Sequence, residues 1–100
     1  MEMNIHRENG STTVKLAGRL DTPAAQEIAQ EMGTLVGEAA ETIVLDCAEL
    51  DYISSSGLRL FLVLRKSAAD KGGKVIVQNI SDNIRNVFMM TGFLNLFEIR

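Results

Sequence analysis

The sequence predicts an α/β domain, a mixed β-sheet that opens with an antiparallel hairpin and carries helices packed on it. Three observations lead there. Asn9-Gly10 lies between two alternating runs, a strong hairpin signal because both residues tolerate the positive φ of a type I′ turn. From Thr22 onward, apolar residues at helical spacing take turns with short strand-like runs, an order that demands right-handed crossovers and parallel pairing. The hydroxyl run Ser54-Ser55-Ser56 then falls where an apolar strand gives way to a helix. One hundred residues make a single domain, 1–100, large enough to fold on one core.

Each element has its own signal. Met3–Glu8 and Thr12–Ala17 alternate, with Met3, Ile5, Val14 and Leu16 apolar, as strands with one buried face do. Gly18-Arg19-Leu20-Asp21 forms a first loop, after which Thr22 is the expected N-cap of a helix with Pro23 in its first turn. Ile28, Ala29, Met32, Leu35 and Val36 recur at helical spacing, and Gly37 marks the end. Thr42–Cys47 reads as a strand buried on both faces. Leu58–Ala69 reads as a helix whose wide apolar face includes Leu58, Phe61, Leu62 and Leu64, ending near Gly72-Gly73. Lys74–Gln78 is a second buried-type strand. Ser81 caps a helix with Ile84, Val87 and Phe88 inward and Gly92 closing it. Leu96–Ile99 is a short closing strand.

Composition narrows the function classes. A net charge of −3, with no basic cluster or aromatic platform, argues against nucleic-acid binding. Arg59, Arg65 and Lys66 read as the solvated face of one helix. Cys47 is the single cysteine, so neither a disulfide framework nor a thiol metal site is expected, and its place in the most apolar run reads as a small buried hydrophobe. No signal peptide or apolar run of membrane length is visible, so a cytoplasmic domain with no membrane insertion is expected. Asn9-Gly10-Ser11 and Asn79-Ile80-Ser81 are chance matches to the glycosylation triplet in such a chain. An enzyme with a serine nucleophile would need a base, and the only histidine, His6, falls in an expected edge strand. The Gly-x-Ser-x-Gly elbow and the Walker loop are both missing. Neither catalysis nor a cofactor is expected.

The informative segment is Leu50-Asp51-Tyr52-Ile53-Ser54-Ser55-Ser56-Gly57-Leu58. Serine suits a helix start because its side-chain oxygen accepts from an unpaired first-turn N–H, and the same place favours an added negative charge. Most serine-rich helix starts are only caps. This one leaves the C-terminal end of a central strand, where open α/β sheets place their sites. Together with Val44-Leu45-Asp46-Cys47, Leu16-Ala17-Gly18-Arg19-Leu20-Asp21, Lys71-Gly72-Gly73 and Val87-Phe88-Met89-Met90-Thr91-Gly92-Phe93, the segment resembles the STAS domain, in particular the small bacterial anti-sigma factor antagonists. The resemblance covers nearly the whole chain and rests on the order and spacing of the pieces.

That resemblance implies a switch on partner choice. The unmodified antagonist docks on an anti-sigma factor, a serine kinase of the histidine-kinase-like ATPase fold, and frees a sigma factor. Phosphorylation releases the antagonist, and a metal-dependent serine phosphatase restores it. The family's acceptor is the first serine of Asp-Ser-Ser/Thr-Gly, which falls here on Ser55, with Ser54 in place of the aspartate. Arg19, Leu20, Asp21 and Thr22 of the first loop, Ser54, Ser56 and Gly57 beside the acceptor, and Leu58, Arg59 and Leu62 of the helix would face the partner. The alternative is a STAS adaptor without a switch, in a lipid transporter or a stress-signalling scaffold. The family also implies a final helix after the last strand. The sequence stops at Arg100, as a trimmed piece or a minimal variant would, and Phe93, Leu96 and Phe97 would then form an exposed patch that invites weak self-association.

Overall fold

The structure, a computed structural model, describes residues 1–35 and 41–100. The expected helix end at Val36 and Gly37 lies outside the described residues. The chain runs β1 (Glu2–Glu8), β2 (Ser11–Leu20), α1 (Thr22–Thr34), β3 (Thr42–Ile53), α2 (Ser55–Asp70), β4 (Lys74–Gln78), α3 (Asp82–Thr91), a single 3-10 turn (Phe93–Asn95) and β5 (Glu98–Ile99). The sheet follows chain order, β1-β2-β3-β4-β5. β1 and β2 pair antiparallel through Asn9-Gly10, whose φ values of 46° and 79° are the two positive angles that the hairpin turn requires. The other pairs are parallel, as helical crossovers dictate.

The core lies on one face of the sheet. Val14 and Leu16, then Ile43, Leu45 and Cys47, then Val75 and Val77 are buried there with Ile28, Met32, Phe61, Leu64, Ile84 and Phe88 from the helices. Thr13, Lys15, Val44 and Asp46 alternate with them and stay partly or fully exposed. The expectation that β3 is buried on both faces is therefore corrected: its apolar run is continuous, but only the helix side is sealed. Within that core the Thr12 hydroxyl is fully buried and has no hydrogen-bond partner among the described residues. Cys47 is buried as expected, and burial, with the charge of Asp46 adding to it, pushes its thiol up to about 12.

Two further expectations change. β3 continues from Cys47 to Ile53, so no loop follows Cys47; β2 keeps pairing with it, through register shifts between Lys15 and Ala17 and between Gly18 and Arg19. Arg19 and Leu20 are accordingly strand residues. At the C-terminal end, Phe93 and Phe97 are not surface residues. They join Phe61 and Phe88 in an aromatic cluster with ring centroids 5.7–6.4 Å apart, and only Leu96 of the expected patch stays exposed. The closing strand is shorter than expected, Glu98–Ile99, because the amides of Leu96 and Phe97 donate back to the Phe93 carbonyl rather than to a neighbouring strand. α3 matches its reading, capped by Ser81 and ended by Gly92 at φ 80°.

Candidate functional site

Two helices begin side by side. β2 and β3 are parallel neighbours, and each leads directly into a helix, so the starts of α1 and α2 fall at the same end of the sheet. At α1 the cap is Asp21, whose Oδ1 accepts from the Ala24 N–H at 3.0 Å. The expected cap, Thr22, is instead the first helical residue, because the Asp21 carboxylate sits at the right offset to reach that amide. At α2 the cap is Ser54, whose Oγ accepts from the Gly57 N–H at 3.1 Å. The two starts are joined: the Ser54 N–H donates to the Leu20 carbonyl at 2.8 Å, and the hydroxyls of Thr22 and Ser56 lie 3.4 Å apart.

Ser54 is buried by this arrangement, while Ser55, the first residue of α2, is exposed. The division of labour is physical. A cap side chain turns back over the helix end, whereas the first helical residue projects away from it. The cap engages only the Gly57 amide, so the N–H groups of Ser55 and Ser56 remain first-turn donors beside the Ser55 hydroxyl. Gly57 is required for packing: a Cβ there would lie 2.8 Å from Leu20 Cγ and 2.9 Å from Ile53 Cγ1.

Of the residues expected to face a partner, Arg19, Thr22, Arg59 and Leu62 are exposed, and Asp21 and Ser56 are half-buried. Leu20, Ser54, Gly57 and Leu58 are buried, so their expected surface role is corrected: they support the site from behind, with Gly57 packed close against Leu20 at the end of β2. Leu62, counted on the apolar face, points outward instead. The sequence reading missed Tyr52. Its ring lies under the Arg19 guanidinium, 4.3 Å from carbon to ring centroid, which holds that charge near the end of β3 that leads into Ser54. The β2–β3 register that pairs Arg19 with Tyr52 depends on the register shifts, which no local pattern announces. Arg59, Arg65 and Lys66 are exposed, in line with their reading as a solvated face, and Arg65 also donates from Nε to the Leu96 carbonyl at 2.6 Å.

His6 lies on the edge strand opposite Thr13, whereas Ser54 follows the Ile53–Leu20 pair, so the imidazole and the serine run are separated by roughly 20 Å along the sheet. His6 instead approaches Glu8 at 3.6 Å. Among the described residues no group of three or more His, Cys, Asp or Glu could hold a metal ion, and no helix is long and apolar enough to cross a membrane. What this end of the molecule offers is an accessible hydroxyl at the start of α2, with the first-turn amides of Ser55 and Ser56 beside it and Arg59 one turn along the helix.

Known proteins resemble this chain in sequence and in fold. A family model described as STAS domain matches residues 2–100. The anti-sigma F factor antagonist of Paenibacillus polymyxa is 29% identical over 100 residues, covering 99% of this chain and 84% of that one. BtrV of Bordetella bronchiseptica is 29% identical over 99 residues, covering 99% and 85%. The anti-sigma factor antagonist SpoIIAA in its unphosphorylated form superimposes with a TM-score of 0.85 at 24% identity, over 99% of this chain and 88% of that one. The phosphorylated form of the Bacillus protein gives 0.76.

Proposed function

The chain belongs to the STAS domain family, and from that premise we propose that it is an anti-sigma factor antagonist switched by phosphorylation of Ser55. The observation that carries the reading is the separation of two tasks between adjacent serines: Ser54 closes the helix, which leaves the Ser55 hydroxyl exposed and uncommitted. The relatives named anti-sigma factor antagonists, and a neighbour that occurs in phosphorylated and unphosphorylated forms, support it.

In this reading the unmodified protein binds an anti-sigma factor serine kinase through Arg19, Asp21, Thr22, Ser56, Arg59 and Leu62, and a serine phosphatase reverses the modification. A phosphate brings a charge of about −1.5 to −2. At an exposed helix N-terminus that charge is stabilised by about 0.3–1 kcal/mol. Carried into an interface without cationic ligands, it costs several kcal/mol. The modification therefore spares the fold and acts on the complex.

The test is mass spectrometry after incubation with the cognate kinase and ATP. Wild type gains one phosphate on Ser55; Ser55→Ala gains none and still binds the kinase. Phosphate on Ser54 or Ser56 that persists in Ser55→Ala sinks the assignment. Arg59→Glu serves as the interface probe, expected to weaken binding in titration calorimetry while shifting stability by no more than about 0.5 kcal/mol. Asp21 does not serve that purpose, since it caps α1. One observation favours a second reading, a STAS adaptor without a switch: the hydroxyl cap at Ser54 puts no carboxylate beside the acceptor. A stable complex with a partner, and no phosphate incorporation by any kinase presented, would select it.

A further inference from the structure

β1 is the outer strand of the sheet, and no described strand lies beyond it. Hairpin geometry tells which backbone groups lie on its free edge. The residues flanking a two-residue turn form a hydrogen-bonded pair, so Glu8, and by alternation His6, Asn4 and Glu2, direct their N–H and C=O groups toward β2. Met3, Ile5 and Arg7 direct theirs outward. The register is unbroken from Glu2 to Glu8, so neither a bulge nor a proline blunts this edge. Ile5 is 41% exposed, although it sits opposite the fully buried Val14 on the helix side of the sheet.

We infer that β1 is a self-association edge, on which two copies of this chain pair antiparallel with Asn4 at the two-fold axis. Registers centred on Asn4, Ile5 or His6 all keep the faces of the two sheets matched. Centring on Ile5 sets Glu2 against Glu8 and Met3 against Arg7 of the second copy. Centring on His6 sets Ile5 against Arg7 and the two imidazoles against each other. Centring on Asn4 sets Met3 against Ile5 twice on the apolar side, which covers the exposed Ile5. It also sets Glu2 against His6 twice on the open side, where a carboxylate accepts from an imidazole N–H. In this register Met3 and Ile5 are the hydrogen-bonded pairs, and these are the residues whose backbone groups face outward.

The result is a continuous ten-stranded sheet, five strands from each copy, with the two Ser55 sites at opposite ends. A single strand from each side buries little surface, so the dimer is weak and reversible, populated near about 1 mM protein.

The register makes a covalent test available. At the two-fold axis a non-hydrogen-bonded antiparallel pair has Cα atoms about 4.5 Å apart, within the range a disulfide spans. Asn4→Cys is expected to cross-link into a covalent dimer on mild oxidation, while Glu8→Cys, beyond the paired segment, is not; Cys47 is buried and stays out of the reaction. Sedimentation velocity supplies the second measurement. Wild type shifts from monomer toward dimer between 20 µM and about 1 mM. His6→Glu raises the dissociation constant about tenfold by facing carboxylate with carboxylate, and Glu2→His combined with His6→Glu restores it. Ser55→Ala leaves association unchanged, which separates this inference from the proposed switch. A wild type that stays monomeric at 1 mM overturns it. So does a dimer indifferent to His6→Glu, or equal cross-linking of Asn4→Cys and Glu8→Cys.

Discussion

The starts of α1 and α2 solve one problem with different chemistry. Both follow parallel strands, both bond a side-chain oxygen to the third helical amide, and neither has an acidic residue in its first turn. At α1 the cap is a half-buried carboxylate, which already supplies the negative charge that a helix N-terminus favours. At α2 the cap is a buried hydroxyl, which satisfies the amide and leaves the charge requirement open. A helix start can thus be structurally complete and electrostatically incomplete, and only the second kind has room for a phosphate.

The largest expected contrast lies in the glycines of the two helices. Gly57→Ala drives a Cβ into Leu20 and Ile53 and should cost about 1–3 kcal/mol in urea denaturation. Gly33→Ala, at a helical position of α1 with open space around it, should stabilise by about 0.5–1 kcal/mol. Equal effects would mean that α2 does not press on the end of β2 as described. Next come the caps. Ser54→Ala should cost more than Asp21→Ala within the range of about 0.5–2 kcal/mol, because it strands the Gly57 amide in a buried setting while the α1 amide can turn to water. Thermal melts of the pair decide the order. The smallest effect tests the electrostatic half of the comparison. Ser55→Asp should raise stability by about 0.3–1 kcal/mol at low salt, and Thr22→Asp by less, since Asp21 is already beside it. A larger gain at Thr22 would reverse the assignment of the incomplete helix start.

Local chemistry made much of the fold legible. Asn9-Gly10 announced its turn because two consecutive positive φ values leave few alternatives, and Ser81 with Gly92 bracketed α3 for equally local reasons. Ser54 was readable as a cap, and Ser55 as exposed, from the hydroxyl run alone. The second half of β3 was not. Ala48, Glu49 and Asp51 carry no strand pattern of their own, and they are extended because β2 pairs alongside them. Leu20, read as part of a loop, is buried for the same reason: its burial depends on the close approach of Gly57 at the start of α2, which neither segment encodes by itself. Asp21 lost its cap role to Thr22 in the reading because Thr-Pro is the more familiar helix opening, though an Asp three residues before Ala24 was an equally valid signal. The partner-facing role of the exposed residues is carried by family resemblance, since exposure alone does not tell recognition from solvation.

The bond from the Ser54 amide to the Leu20 carbonyl has a consequence for the kinetics of encounter. It ties the end of one strand to the start of the next helix, so the rim around Ser55 has no loop to order when a partner arrives. A surface held this way gives up little conformational entropy on contact, and its association is governed by collision and orientation rather than by a slow rearrangement. Under the proposed switch, regulation would then act on how long the complex lasts. A charge added at Ser55 would shorten that lifetime without first having to unfold anything.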